Sequence, residues 1–138
     1  MSPNNLPEAY LKKSLSRMKA LQTLLDDKSY SDVVREAQEI VELVSKGILR
    51  IGLIDPPHRR DVAKELGIVK LKFDQSFFQV ITELETANHW LRREREMSFY
   101  GADDFDPTEG YSIEDAARAF RYAKLATETL QRLLAESK

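Results

Sequence analysis

The chain contains no cysteine, only five glycines and five prolines, a single tryptophan and no long apolar run. Each scarcity excludes something. Without cysteine there are no disulfides and no thiolate metal sites. Two histidines supply too few imidazoles for a histidine-rich zinc centre within one chain. With no apolar stretch of about 20 residues, no membrane span is expected; no signal peptide is read, and the expected location is cytoplasmic. An excess of positive charge is missing too: 21 Lys and Arg face 23 Asp and Glu, for a net charge of −2. Proteins that hold nucleic acid through phosphates alone usually carry a basic excess. Any RNA contact here must therefore be local and built from clustered arginines. There is no Gly-x-Ser-x-Gly elbow and no glycine-rich phosphate loop, so nucleophilic-serine hydrolysis and NTP hydrolysis find no support. Strand-like alternation and internal repeats are also missing.

What is present is helical. The 138 residues, 42% hydrophobic and 32% charged, suit one soluble, strongly helical domain spanning 1–138. After a frayed start, Leu11, Leu15, Met18 and Leu25 predict a helix over 6–26, with Lys12, Lys13, Arg17 and Lys19 on its solvated side. From Tyr30 to Ile51, the stripe Val33, Ala37, Ile40, Val41, Val44, Ile48 and Ile51 marks a bundle helix facing a core. Ser29 or Ser31 is the expected cap, and Gly52 the expected left-handed stop. Pro56-Pro57 interrupts the chain, and a short helix is expected from His58 to Leu66, ended by Gly67. A long helix follows from Asp74 to Met97, with Phe77, Val80, Ile81, Leu84, Asn88 and Leu91 on one face. Asn88 is a polar interruption of that face, expected to be a bonded packing feature that sets register. Residues 100–110 read as a loop. Ser112 with Asp115 predicts a capping box for a last helix, whose inner face is Ile113, Ala116, Ala117, Phe120, Ala123, Thr127, Leu130 and Leu134. The expected architecture is an all-α, up-and-down four-helix bundle with one extra short helix.

Three charged clusters stand out. Asp103, Asp104, Asp106 and Glu109 fail as a calcium loop, because Phe105 and Pro107 fall on ligand positions and Thr108 where glycine is required. His58, Arg59 and Arg60 sit at the start of the expected short helix, where positive charge opposes the helix dipole. That cluster reads as an exposed turn or as a waiting anion site. The third is His89 to Tyr100, HWLRREREMSFY. On a helix His89 and Arg93 are one turn apart on one face, and Arg92 and Arg95 share another. Glu85, Glu94 and Glu96 are close enough in sequence to neutralise several of these arginines, which leaves a salt-bridged helix end as the alternative to a binding site.

Three stretches together resemble the HEPN (higher eukaryotes and prokaryotes nucleotide-binding) domain family. Tyr30 to Gly52, YSDVVREAQEIVELVSKGILRIG, is similar to the family's second helix. Pro56-Pro57 with Arg60-Asp61-Val62 resembles its Pro-x-His-Asp-Val/Leu turn, with arginine in place of histidine. Tyr111 to Ala123, YSIEDAARAFRYA, is similar to its last helix. The resemblance covers nearly the whole chain and implies a homodimer that binds RNA or nucleotide. Active members are metal-independent RNases, many of them toxins paired with a small nucleotidyltransferase antitoxin. Their motif is an arginine followed four to six residues later by a histidine, sometimes with a nearby tyrosine that is a modification target. Carried onto this sequence, the arginine is Arg93 and the tyrosine Tyr100, while Ser98 stands at the histidine position. In that motif the arginine holds the scissile phosphate and the histidine moves the 2′-hydroxyl proton. Serine cannot.

The resemblance thus implies an RNA- or nucleotide-binding protein related to the toxin half of such a pair, its nuclease activity degenerate. The binding residues would be Arg92, Arg93, Arg95, Ser98 and Tyr100, and the catalytic candidates Arg93, His89 and Tyr100. No metal or other cofactor is implied. One rival is a metal-independent endoribonuclease that uses Arg93 with His89 or His58 as base. Another is a non-catalytic protein-interaction module. Trp90 and Phe99, read as exposed aromatics beside the arginines, add to the expectation of a homodimer.

Overall fold

The computed structural model describes residues 6–59, 61–100 and 110–136, and for 95–100 the backbone alone. Five α-helices follow in order: α1 (Leu6–Asp26), α2 (Tyr30–Ile51), the short α3 (Ala63–Val69), α4 (Phe78–Tyr100) and α5 (Ile113–Glu136). Single 3₁₀ turns at Lys70–Lys72 and Gln75–Phe77 lead into α4. The four long helices form an all-α up-and-down bundle, and no strand occurs among the described residues.

Helix α2 is its axis. It packs against α1, α4 and α5 and also touches α3. Burial therefore runs around more of α2 than one stripe. The expected positions from Val33 to Ile48 are inside, and so are Val34, Gln38, Ser45 and Leu49. Asn88 of α4 donates from Nδ2 to Ser45 Oγ at 3.0 Å and to the Leu84 carbonyl at 2.8 Å. This buried bond ties α4 to α2 at one register, because sliding the helices would strand both polar groups at a cost of about 1–3 kcal/mol each.

Both long-helix turns end in ways the glycine pattern does not announce. After α1 the left-handed residue is Lys28 (φ 61°), and after α2 it is Leu53 (φ 61°). Each closes the paired bonds of a Schellman motif: Ser29 and Lys28 donate to Leu24 and Leu25, and Ile54 and Leu53 to Leu49 and Arg50. Gly52 is thus not the left-handed stop; its φ is −81°. It is glycine because a Cβ there would lie 2.1 Å from Val69 Cγ2, so its absence lets α3 settle against the end of α2. Ser29 does occupy the cap position of α2, but its hydroxyl donates to Asp27 Oδ2 instead of accepting from the helix.

The short helix is displaced from its expected span. It begins at Ala63, where Asp61 Oδ1 accepts from the backbone N–H at 2.9 Å, and continues through Gly67 to Val69. Gly67 does not end it. A Cβ there would lie 2.8 Å from Glu85 Oε1, so this glycine leaves room for the carboxylate that accepts from Lys70 Nζ at 2.7 Å.

The capping box at Ser112 forms as expected: Ser112 Oγ accepts from Asp115 N, and Asp115 Oδ2 accepts from Ser112 N. The inner face of α5 is rotated from expectation, however. Ile113 is 57% exposed and Ala117 is exposed, Phe120 is half-buried, and Ala119, Tyr122, Ala126, Thr129 and Leu133 lie inside. Buried Thr127 and Thr129 return their hydroxyls to carbonyls one turn back, which satisfies them and lets polar residues take inner positions. Likewise Leu15 of α1 faces outward while Ser14, bonded to the Tyr10 carbonyl, is buried.

Candidate nucleic-acid interface

The stretch of α4 from Ala87 to Glu94 is anchored from inside by Ala87, Asn88 and Leu91, all buried. Helical spacing then sends its remaining side chains two ways. Trp90 and Glu94, four apart, go toward α5; His89 and Arg93, also four apart, go away from it.

Toward α5, Trp90 packs on Tyr122 with ring centroids 6.0 Å apart. The Arg118 guanidinium lies 4.2 Å over the Trp90 ring and donates to the Tyr122 hydroxyl. Tyr111 closes the other end, its hydroxyl donating to the Glu94 carbonyl at 2.6 Å. Burial between the helices pushes the Glu94 carboxyl above its ordinary pKa, and the neighbouring Asp115 carboxylate adds to this; Arg93, the Tyr111 hydroxyl and Arg118 pull it back. Trp90 is therefore half-buried and held, not an exposed aromatic. Glu85 pairs with Lys70.

On the other side, the His89 side chain is 76% exposed, and its Nδ1 lies 3.0 Å from Asp61 Oδ2. Asp61 is fixed three times over. Its Oδ1 accepts from Ala63 N, its backbone carbonyl accepts from Arg59 Nε, and its Oδ2 faces the histidine. Arg93, one turn further along α4, is exposed.

Of the sequence-predicted site residues, His89 and Arg93 thus share one exposed face, and Arg92 is half-buried beside them. Arg95, Ser98 and Tyr100 lie on the last turns of α4, with side chains outside the described residues, as is Phe99. In the second basic cluster the helix start is displaced from its expected place. His58 and Arg59 precede α3 by several residues, and Arg59 is engaged by the Glu65 carboxylate and the Asp61 carbonyl. Arg60 lies outside the described residues, as do Asp103, Asp104, Asp106 and Glu109. Sequence reasoning overlooked Asp61, Tyr111, Arg118 and Tyr122 as members of this region. Arg118 and Tyr122 carried a signal, being four apart on one helix face; Asp61 meets His89 across 28 residues, with no local pattern to mark it.

Among the described residues no group of histidine, aspartate and glutamate is arranged to hold a metal ion, and no helix is long and apolar enough to cross a membrane. An all-helical bundle with a cationic turn late in its third long helix is one class of protein. The family model for the HEPN domain matches residues 7–133, and the chain belongs to that family. No curated protein and no solved structure matches it.

Proposed function

We propose that this chain is a single-domain HEPN protein that binds RNA or nucleotide at a site centred on Arg93. The observation that carries this reading is the split at α4: Arg118 is stacked inside, whereas Arg93 stands exposed on a turn held rigid by Leu91 and Asn88. A guanidinium so placed holds a phosphate through paired charge-assisted bonds. Arg92, Arg95, Ser98 and Tyr100 complete the site along the same helix end. Ser98 has no ionisation near neutral pH, so proton transfer through the family's motif position is degenerate. The protein is related to the toxin half of a toxin–antitoxin pair, works in the cytoplasm as a homodimer, and has a small nucleotidyltransferase as its partner.

Binding of a fluorescent single-stranded RNA oligonucleotide tests the core of this reading. Affinity should fall as salt rises, because phosphate contacts release counterions. Arg93→Ala should weaken binding and flatten that dependence. Equal affinity in wild type and variant would leave the arginines to a protein interface instead. Light scattering tests the dimer: a species of only about 16 kDa, the mass of one 15.9 kDa chain, would refute it.

A further inference from the structure

We infer that one end of the bundle, formed by the turn after α2, helix α3 and the 3₁₀ turn Lys70–Lys72, docks on an anionic lipid surface. This goes beyond the RNA- or nucleotide-binding reading and does not rest on it.

The starting observation is Leu53. It is 89% exposed and left-handed, with φ 61°. Both features are unfavourable for a leucine in an isolated chain. Its Cβ crowds the following carbonyl, and its apolar side chain meets water. Glycine would fill this place in the Schellman turn with neither cost. A leucine here gains only by burial against something outside the chain.

Leu53 does not stand alone. Along α3 and the 3₁₀ turn, Val62, Leu66 and Val69 are buried, which turns Lys64, Ile68 and Leu71 outward at spacings of four and three. Leu71 is 73% exposed. The two parts are joined. Lys72 Nζ donates to the Gly52 carbonyl at 3.1 Å, and Val69 occupies the space that a Cβ on Gly52 would need. On the other flank, Lys70 Nζ lies 4.6 Å from the centre of the exposed Phe78 ring. Six large apolar residues are exposed among the described residues, and four of them, Leu53, Ile68, Leu71 and Phe78, belong to this one end.

Charge selects the occupant. Ala63–Lys72 carries Lys64, Lys70 and Lys72 against one carboxylate, Glu65, in a chain of net charge −2. Arg59 engages Glu65 and Glu85 engages Lys70, which leaves Lys64 and Lys72 exposed beside the leucines. Of the exposed carboxylates nearby, Asp55 faces Arg50 at 3.9 Å and Asp74 accepts from the Ser76 N–H. A second copy would set lysine against lysine, because an isologous contact pairs a patch with itself. Leucines standing this far out form no groove for a partner's helix. They can enter a headgroup layer while their lysines meet anionic lipid, and such docking needs no spanning helix. The rest of the chain, more acidic than the whole, is repelled and turned away from the surface.

The test is sedimentation of the full chain with vesicles of phosphatidylcholine alone and with vesicles containing about one-third phosphatidylserine. The protein should sediment with the second and not the first, and less as salt screens the lysines. Leu71→Ser should lower vesicle affinity about tenfold, the scale of one apolar side chain kept out of lipid. Leu53→Gly should do the same while raising the melting temperature, because glycine relieves the left-handed position. Lys64→Glu should weaken binding to the mixed vesicles. RNA affinity should be unchanged in Leu53→Gly and Leu71→Ser. Protein that stays in the supernatant with both lipids would overturn the proposal and leave the patch to a protein partner. Vesicle binding that Arg93→Ala abolishes and Leu71→Ser spares would overturn it too, by placing the contact at the arginines of α4. So would a particle mass that falls in Leu71→Ser, which would assign the patch to a second copy.

Discussion

The two faces of α4 around Leu91 carry the same kinds of residue and put them to opposite use. On one, Arg118 covers Trp90 and Tyr122, and Tyr111 bonds back to the Glu94 carbonyl. Here a cation and aromatics are consumed in holding two helices together. On the other, His89 and Arg93 project from successive turns into solvent, with Asp61 as the histidine's bonded partner. The difference lies in what each face meets. The first meets Arg118 and Tyr122 of α5; among the described residues, the second meets Asp61 in the connection that leads into α3. An arginine packed on an aromatic gains by losing water, whereas an exposed one keeps its capacity to bind a ligand.

If that division is right, the faces come apart under mutation. Leu91 anchors both, being fully buried between them. Leu91→Ala should cost about 2–5 kcal/mol of stability and weaken RNA binding as well, and urea titration with the binding assay reads both effects. Trp90→Ala removes the packed face alone. It should cost about 2–3 kcal/mol, below the usual value for a wholly buried tryptophan since this one is half-exposed, with little effect on RNA affinity beyond that of unfolding. Arg93→Ala is the reverse case: RNA affinity should drop about 10- to 100-fold, the loss of a charge-assisted contact, while stability moves by less than about 0.5 kcal/mol. A variant at either position that damaged stability and binding equally would erase the distinction.

The smallest effect is at Glu94, on the face toward α5. Its carboxyl lies above the ordinary value of 4.5 in the folded chain, so ionising it disfavours the fold. That penalty is fully present above the folded pKa and disappears as pH falls below 4.5, where both states are protonated. Glu94→Gln should therefore melt higher than wild type at about pH 7, with the advantage shrinking toward zero on acidification. Melting curves across that range would show it. An advantage independent of pH would mean that the carboxylate is not disfavoured there.

The helices themselves were legible along the chain. A repeat of apolar residues at helical spacing is a local property, and so is the capping box at Ser112, whose partners lie three residues apart. The arginine-rich end of α4 was legible for the same reason. Glycine was misleading because its two uses look alike in sequence. Gly52 and Gly67 suggest chain breaks, yet each makes room for a side chain from another element, Val69 in one case and Glu85 in the other. Alanine was silent: nothing local separates Ala117, outside, from Ala119, inside.

By itself, then, the sequence determined the helical class, the long-helix spans and the place where cationic chemistry gathers, since these depend on residues within a few turns of one another. Only the tertiary structure decided which of those charges are engaged and which are presented. Trp90 is half-buried because α5 brings Arg118 and Tyr122 to it, and His89 has a carboxylate beside its Nδ1 because the connection into α3 brings Asp61 to it. Those partners are distant in the chain, and their approach is set by how the helices pack, through contacts such as the buried Asn88–Ser45 bond, which no local pattern encodes.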